Sequence, residues 1–290
     1  MMMLVWTVTG LLLVTHLVDV HGNGYCYGEG PKGPQHWSKT YPKCAAKYQS
    51  PIDISENDTT EVQHGSLTFE GFFKKDRKPY DKDWRVVNNG KQLYILISNK
   101  CYISGGGLQG KHSPYVIFFQ WGRVNGRGSE HKLDGKFYDG EIKLMCHQQP
   151  GTNKVSGFVA MVKVVEQDNP LLYELMYAVN KVKYADDEAS VSPHDNLADM
   201  LSPDLGNFYR YQGSQTWPQC NTDVTWTVWR TPLEMGRAQM EVFRGLYNKK
   251  KGTRDNIHIG DNVRPLQPRE GRKIEYNPQH NYRTQVEASI

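Results

Sequence analysis

The sequence predicts a mostly β fold with peripheral helices. Short runs rich in β-branched and aromatic residues recur along the chain, and each has the length of a strand. Glycine-rich or Asn-Gly turns separate several of these runs, as in Asn88-Asn89-Gly90 and Asn125-Gly126. Helical periodicity is confined to a few stretches. A mostly β chain of 290 residues is commonly a single domain.

The individual elements follow from these patterns in chain order. The predicted strands are residues 67–69, 84–87, 93–97, 115–120, 141–145, 157–165 and 224–228. The predicted helices are residues 170–181 and 233–248. The second carries Met240, Val242, Phe243 and Leu246 at helical spacing.

Composition and charge are those of an ordinary globular protein. Charged residues make up 23% of the chain, and 35 basic residues against 31 acidic ones give a formal net charge of +4. This mild excess favours anionic partners but is far below the charge of a nucleic-acid-binding domain. We therefore expect no nucleic-acid partner.

The N-terminus predicts export from the cell. Residues 1–22 form a largely apolar segment whose length suits a signal peptide, although the segment has no Lys or Arg ahead of its apolar run. The alternative is a membrane anchor, but Thr7, Thr9, Thr15, His16 and Asp19 leave too short an apolar stretch. The tail, residues 277–290, has no hydrophobic end that directs lipid anchoring. We expect a secreted protein with no membrane anchor.

A series of short motifs resembles the α-type carbonic anhydrases in order and in near-family spacing. The motifs are Gly33-Pro34-x-x-Trp37, Gln49-Ser50-Pro51-Ile52-Asp53-Ile54, Asn88-Asn89-Gly90, Ser104-Gly105-Gly106-Gly107-Leu108, Gly128-Ser129-Glu130-His131, Tyr211-Gln212-Gly213-Ser214 with Thr216, Val224-Thr225-Trp226 and Asp261-Asn262-Val263-Arg264-Pro265-Leu266-Gln267. The resemblance implies one α-carbonic anhydrase-like domain over residues 23–276, built around a central, largely antiparallel twisted sheet.

Two further segments resemble the strands that hold zinc in that family. They read Phe118-Phe119-Gln120-Trp121-Gly122 and Glu141-Ile142-Lys143-Leu144. Active members of the family read His-x-His-Trp-Gly and Glu-x-His-x at these places. The resemblance therefore puts Phe118, Gln120 and Lys143 at the three zinc-ligand positions.

These three side chains do not suit a zinc site. Phe118 has no lone pair, and the amide oxygen of Gln120 is a poor zinc donor beside imidazole. The ammonium of Lys143 has no free lone pair and repels a divalent cation. Cys146 points to the opposite face of the strand from Lys143 and offers no substitute. We predict no zinc cofactor, no metal ligand and no catalytic residue.

The resemblance gives a mixed result for the rest of the pocket. It places Glu130 and Thr216 at the pair that orients the zinc-bound hydroxide in active relatives, and His131 and Glu141 at supporting positions. It places Lys91 where the family has its proton-shuttling histidine, and a lysine is a poor shuttle at neutral pH. Glu130 and Thr216 also fit a structural role, since a buried carboxylate needs a donor in any case.

Two interpretations of the altered pocket remain. In the first, which we favour, Lys143 forms an internal ion pair with a nearby carboxylate of Glu130 or Glu141, because an isolated buried ammonium is costly. In the second, Lys143 and Gln120 bind a small anion or another polar ligand.

The chain has five cysteines, all beyond residue 22, and an oxidising compartment favours pairing of an even number. Extracellular members of the resembled family join the places occupied here by Cys44 and Cys220, which implies that disulfide. Cys101 and Cys146 lie in strand-like segments and fit buried thiols. Cys26 is the candidate for a disulfide-linked dimer.

The surface offers one modification signal and two basic runs. Asn57-Asp58-Thr59 is a glycosylation sequon, so Asn57 is predicted to carry a glycan in a secreted chain. Residues 74–78 and 249–254 are rich in Lys and Arg. Solvated loops explain both runs, and the alternative is a site for a polyanion.

These observations predict a secreted, disulfide-bonded, non-catalytic relative of the carbonic anhydrases. We expect an extracellular binding or matrix protein whose partner, a polyanion or another matrix component, the sequence does not name. Two alternatives remain. One is a carbon dioxide hydratase or weak esterase with an unorthodox site, and the other is an abundant storage or fluid protein.

Overall fold

The computed structural model describes residues 24–72, 84–97, 101–149, 154–191 and 201–278. Several predictions fall outside these ranges. They are the signal peptide at residues 1–22, the basic run at 74–78 and the part of the tail from residue 279 to 290. These predictions stay untested by the fold.

The described residues form a β-rich structure. The strands are β1 (Asp53–Ile54), β2 (Thr60–Glu61), β3 (Leu67–Glu70), β4 (Trp84–Asn88), β5 (Leu93–Leu96), β6 (Tyr102–Gly105), β7 (Lys111–Trp121), β8 (Lys132–Leu133), β9 (Gly140–Gln149), β10 (Val155–Val165), β11 (Glu188–Val191), β12 (Asn207–Ser214), β13 (Thr222–Trp229), β14 (Leu233–Gly236) and β15 (Glu275–Pro278). The sheet includes Asn277 and Pro278, which the sequence had assigned to the tail.

The strands of the described ranges build a 13-stranded sheet, and β1 pairs with β8 beside it. The main path runs β11-β4-β5-β7-β9-β10-β13-β12-β15-β2, with β14 beside β10, and with β6 joining β3 to β7. Most neighbours are antiparallel, whereas β10 is parallel to β13 and β14, and β15 to β2. The predicted fold class, mostly β around a largely antiparallel sheet, is confirmed.

The helices are short and peripheral. They are α1 (Trp37–Thr40), α2 (Tyr173–Val179) and α3 (Arg237–Arg244), with 3-10 turns at Pro34–His36, Pro42–Ala45, Glu56–Asp58 and Pro170–Leu172. The helical prediction for residues 170–181 is confirmed in its central part.

The predicted helix over residues 233–248 is wrong at both ends. Its first residues form β14, which pairs with the end of β10, so Leu233 lies opposite Val162. Parallel strand pairing satisfies the backbone groups there, and the helix begins only after Gly236, whose N–H donates to Gln239 Oε1 at 2.9 Å. The pairing partner lies far back in the chain, so local periodicity could not reveal it.

The sheet has an apolar core on each face. On one face, Ile117 and Leu144 pack with residues of α2 and α3 such as Val179 and Phe243. On the other face, Phe118 and Met145 pack with the N-terminal segment and with β12 and β13. Alternation along β7 and β9 sends neighbouring residues to opposite cores. Among the described residues, no helix is long and apolar enough to cross a bilayer.

Candidate functional site

The three positions singled out in the sequence meet on one face of the sheet. Phe118 on β7 lies directly opposite Lys143 on β9, and Gln120 lies opposite Glu141. Strand periodicity aims these side chains at the core formed with the N-terminal segment. The structure therefore brings the predicted site residues together.

Lys143 lies at the centre of this cluster and is fully buried. Its ammonium donates to the carboxylate of Glu130 and to Thr216 Oγ1, at 2.6 Å from the latter. The other oxygen of Glu130 accepts the backbone N–H of Arg264 at 2.9 Å. This is the internal ion pair of our first interpretation, and Glu130 is the partner. A buried carboxylate and a buried ammonium each lower the cost of burying the other.

An aromatic pair fills the space beside the ammonium. Phe118 and Trp217 are 1% and 2% exposed, and their ring centroids lie 4.8 Å apart. The Lys143 ammonium lies 5.5 Å from the centroid of the Trp217 ring. Sequence reasoning missed Trp217, although a bulky residue directly after Thr216 was a readable signal.

Gln120 occupies a different environment from Lys143. It is 3% exposed, and neither its amide nitrogen nor its amide oxygen has a hydrogen-bond partner among the described residues. A buried amide in this state costs free energy. Its side chain is thus not held by the network that fixes Lys143.

A second buried network supports the strand that carries Lys143. Glu141 Oε2 accepts the backbone N–H groups of Glu130 and His131, both at 2.8 Å. His131 Nδ1 lies 3.0 Å from Glu141 Oε1, and its Nε2 lies 2.6 Å from the hydroxyl of Tyr211. Tyr211 in turn donates to Ser50 Oγ at 2.9 Å. This network links the predicted pocket residues to two motifs far away in the chain.

The charge state of Glu141 follows from its neighbours. Burial by itself raises the pKa of this carboxyl, but the opposing effects of His131 and Lys143 and the hydrogen bonds that it accepts leave it below the ordinary value of 4.5. Burial also raises the pKa of the Tyr211 hydroxyl above its usual range. Glu141 is therefore an anion and Tyr211 a neutral donor at neutral pH.

The rim of the site is closed by a disulfide. Cys44 and Cys220 are bonded, 176 positions apart in sequence, so this prediction is confirmed. Arg264 lies beneath the rim, where its guanidinium donates to Gln49 Oε1 at 2.8 Å and to the Cys44 carbonyl at 3.2 Å. The sequence included Arg264 in a motif without indicating this bridging role.

Comparison with known proteins identifies the scaffold. Residues 32–278 match the sequence profile of the eukaryotic-type carbonic anhydrases. The chain belongs to the carbonic anhydrase family. Similar proteins include human carbonic anhydrase 12, which is 30% identical over 232 residues. Mouse carbonic anhydrase 7 is 29% identical over 269 residues, and rat carbonic anhydrase 4 is 30% identical over 265.

The extent of these matches differs between relatives. The match to human carbonic anhydrase 12 covers 76% of this chain but 63% of that protein, less than two thirds of its length. The matches to the mouse and rat proteins cover 86% and 87% of this chain, and 96% and 80% of those proteins.

The residues at the family's zinc position do not fit zinc. A phenyl ring, an amide and an ammonium stand where three imidazoles are needed, and the ammonium is engaged with Glu130 and Thr216. Within the described ranges, no group of three or more His, Cys, Asp or Glu side chains is arranged to hold a metal ion.

The remaining predicted residues have other surroundings. Lys91 places its ammonium 4.1 Å from the ring centroid of Tyr25. Asn57 is exposed on the Glu56–Asp58 turn, accessible to a glycan. Cys101 and Cys146 are buried and Cys26 is half-buried. Burial, followed by the effect of Cys101, raises the pKa of the Cys146 thiol well above 9.0.

Proposed function

We propose that this chain is a non-catalytic member of the carbonic anhydrase family that acts outside the cell by binding. One observation carries the proposal: a buried ammonium, that of Lys143, occupies a zinc-ligand position and is held by Glu130 and Thr216. A fixed positive charge there disfavours a divalent cation, and the other two zinc-ligand positions carry the phenyl ring of Phe118 and the amide of Gln120 instead of imidazoles.

The groups that would orient a nucleophile are already engaged. In active relatives the positions of Glu130 and Thr216 orient the zinc-bound hydroxide, whereas here both accept from Lys143. Phe118 and Trp217 fill the adjoining volume. Neither water activation nor an open coordination position is therefore supplied by these side chains.

The disulfide and two features of the sequence support an extracellular location. The Cys44–Cys220 bond is of the kind that persists in oxidising compartments. The predicted signal peptide and the exposed sequon at Asn57 agree with that location.

The partner that we propose is an anionic component of the extracellular matrix. Lys250, Lys251 and Arg254 are exposed on the loop after α3, and Lys250 pairs with Asp186 at 2.9 Å. Clustered surface cations favour a polyanion through long-range attraction that added salt weakens. Retention on a sulfated column that is insensitive to salt would contradict this electrostatic mode.

Zinc content and carbon dioxide hydration test the proposal directly. We expect purified protein to contain no stoichiometric zinc and to show no sulfonamide-sensitive hydration in stopped flow. A catalytically active relative, prepared identically, serves as the positive control. One tightly bound zinc per chain with hydration activity would overturn the proposal.

A restored ligand set provides a matched comparison. The triple variant Phe118→His/Gln120→His/Lys143→His replaces the ammonium by imidazole and supplies the family's three donors. We expect it to bind zinc more tightly than the natural chain. Equal zinc affinity in both proteins would show that these positions do not control metal binding.

A further inference from the structure

A polar cavity lies on the other face of the sheet from Lys143. Its volume is about 380 Å³. Arg210 lines it from β12 and points to the same face as Phe208, which belongs to the core packed against α2 and α3. We call it the Arg210 cavity; its charged and titratable lining residues among those described are His64, His112, Lys154, Arg210, Tyr211, Lys273 and Glu275.

Arg210 is a buried cation held only by neutral groups. It is 6% exposed, and its Nε and Nη2 donate to Thr227 Oγ1 at 3.2 and 2.9 Å. Its Nη1 donates to the carbonyl of Gly106, and the guanidinium carbon lies 4.8 Å from the Phe208 ring centroid. These bonds use three of the five guanidinium N–H groups. Among the described residues, no carboxylate forms an ion pair with it.

The charges around the cavity are unbalanced. Lys154 and Lys273 are exposed at its edge, and among the described lining residues Glu275 is the one acidic side chain. Glu275 is already shared, since one oxygen lies 2.8 Å from His64 Nε2 and the other 3.1 Å from Lys273 Nζ. Burial lowers the pKa of Arg210 to about 10, and Glu275 opposes this only in part. Arg210 is therefore still cationic at neutral pH.

The two histidines contribute differently. His112 is buried, with Nε2 3.2 Å from the Gln109 carbonyl and Nδ1 2.8 Å from Ser156 Oγ. Burial, its largest influence, lowers the pKa of His112, so this ring is neutral. The side chain of His64 is only 15% exposed and lies against Glu275.

We propose that the Arg210 cavity binds a tetrahedral oxyanion, either free sulfate or the sulfate group of a sulfated saccharide. The free guanidinium N–H groups at the buried end and the ammonium groups at the exposed edge supply donors from different directions. This proposal extends the proposed function by naming the chemistry of the extracellular partner.

The cavity's size and neutral lining favour the saccharide source. Its volume of about 380 Å³ exceeds what one oxyanion needs. Gln109 and Gln212, which are exposed, and Thr225, which is half-buried, lie beside the charged residues, and their amide and hydroxyl groups can bond sugar hydroxyls. The guanidinium would bind the sulfate, and the neutral groups would contact the ring that carries it.

Crystals of the full chain soaked in selenate locate the site. Selenate is a tetrahedral dianion that gives an anomalous selenium signal. We expect a peak within hydrogen-bond distance of Arg210. Selenate seen only on the basic loop at 249–254, or nowhere, would overturn the proposal.

Calorimetric titration distinguishes the two sources. Sulfate and a sulfated disaccharide are titrated at matched ionic strength, with the unsulfated disaccharide as control. Tighter binding of the sulfated sugar than of free sulfate supports the saccharide, and equal binding assigns the cavity to the free ion. Binding of the unsulfated sugar as tightly as the sulfated one would overturn the proposal.

Charge variants with opposite predicted signs test the electrostatics. Arg210→Gln should weaken sulfate binding roughly ten- to hundredfold, the range of charge-assisted hydrogen bonds. Lys273→Gln should weaken it by about fivefold, and Glu275→Gln should strengthen it by a similar factor. Lys163→Gln is the matched control and should leave it unchanged, because Lys163 is exposed near the end of β10 that lies away from the cavity residue Val155.

These outcomes stay informative if Arg210→Gln fails to fold, because Lys273 is exposed and Glu275 is only half-buried. Equal affinity in the Lys273→Gln and Glu275→Gln variants would overturn the proposal. The zinc and hydration measurements do not depend on this cavity, so failure here leaves the proposed lack of catalysis intact.

Discussion

Two buried cations on opposite faces of one sheet have contrasting surroundings. Lys143 lies against a carboxylate, Glu130, in a volume filled by Phe118 and Trp217. Arg210 lies against a hydroxyl and a carbonyl beside a cavity of about 380 Å³. The first cation is neutralised inside the protein, whereas the second retains unused donors.

The difference indicates how a substituted metal position and a candidate ligand site can be told apart. Burial alone is common to both cations and therefore does not identify function. A paired ammonium in a filled pocket indicates a structural role, because each charge offsets part of the desolvation cost of the other. A cation without a carboxylate partner beside open volume still has interaction free energy available for a ligand.

The substitution Lys143→Met is the strongest test of this contrast between the two cations. This change leaves the carboxylate of Glu130 buried without its counter-ion, and we expect a loss of about 3–5 kcal/mol in the free energy of unfolding. Urea unfolding followed by far-ultraviolet circular dichroism measures it. A loss below about 1 kcal/mol would show that the ion pair is energetically unimportant.

The matched control for that variant is the double substitution Lys143→Met/Glu130→Gln. Removing both charges eliminates the uncompensated ion, so the double variant should be more stable than Lys143→Met alone. The single variant Glu130→Gln completes the comparison. If the losses in Lys143→Met and Glu130→Gln add up to the loss in the double variant, the two side chains do not interact.

Removal of the disulfide should also destabilise mainly the face of the sheet that carries Lys143. Thr216 lies a few residues from Cys220, so Cys44→Ser/Cys220→Ser releases the loop that supplies one of the two acceptors of Lys143. We expect a loss of about 2–5 kcal/mol in the free energy of unfolding. Hydrogen exchange should rise around residues 214–220 more than around Arg210; a uniform rise would contradict a local effect.

Acid should lower the free energy of unfolding through protonation of Glu141, which lies on the same strand as Lys143. The pKa of this buried carboxyl lies below its ordinary value of 4.5, so its charge stabilises the fold fully above that pH. The contribution is lost as the pH falls through the lowered native pKa. Urea unfolding at a series of acidic pH values should show declining stability, with a shallower decline in Glu141→Gln. An identical decline in both proteins would assign the acid sensitivity to other groups.

The smallest change in stability is expected from Arg210→Met. The substitution removes hydrogen bonds to Thr227 and Gly106 but also relieves the burial of a cation without a carboxylate partner. We expect the free energy of unfolding to change by less than about 1.5 kcal/mol. Stabilisation by added sulfate should disappear in this variant. A loss as large as that of Lys143→Met would erase the contrast between the two cations.

Much of the fold was predictable because its signals are local. Alternation and turns gave the strands that carry Phe118 and Lys143, and the family motifs gave the order of the segments around them. The boundary at Leu233 was not predictable, because a strand paired with Val162 replaces what reads locally as a helix. Periodicity reports which face a residue presents, not which distant strand lies beside it.

Sequence alone determined which chemical groups stand at the family's zinc positions, and therefore that three imidazoles are missing. Only the tertiary structure decided that Lys143 pairs with Glu130, since Glu141 is already bound to His131 and to two backbone N–H groups. It also decided that Trp217 fills the pocket and that Arg210 borders a cavity. Residue types are fixed by the sequence, but partners and open volume depend on segments that only folding brings together.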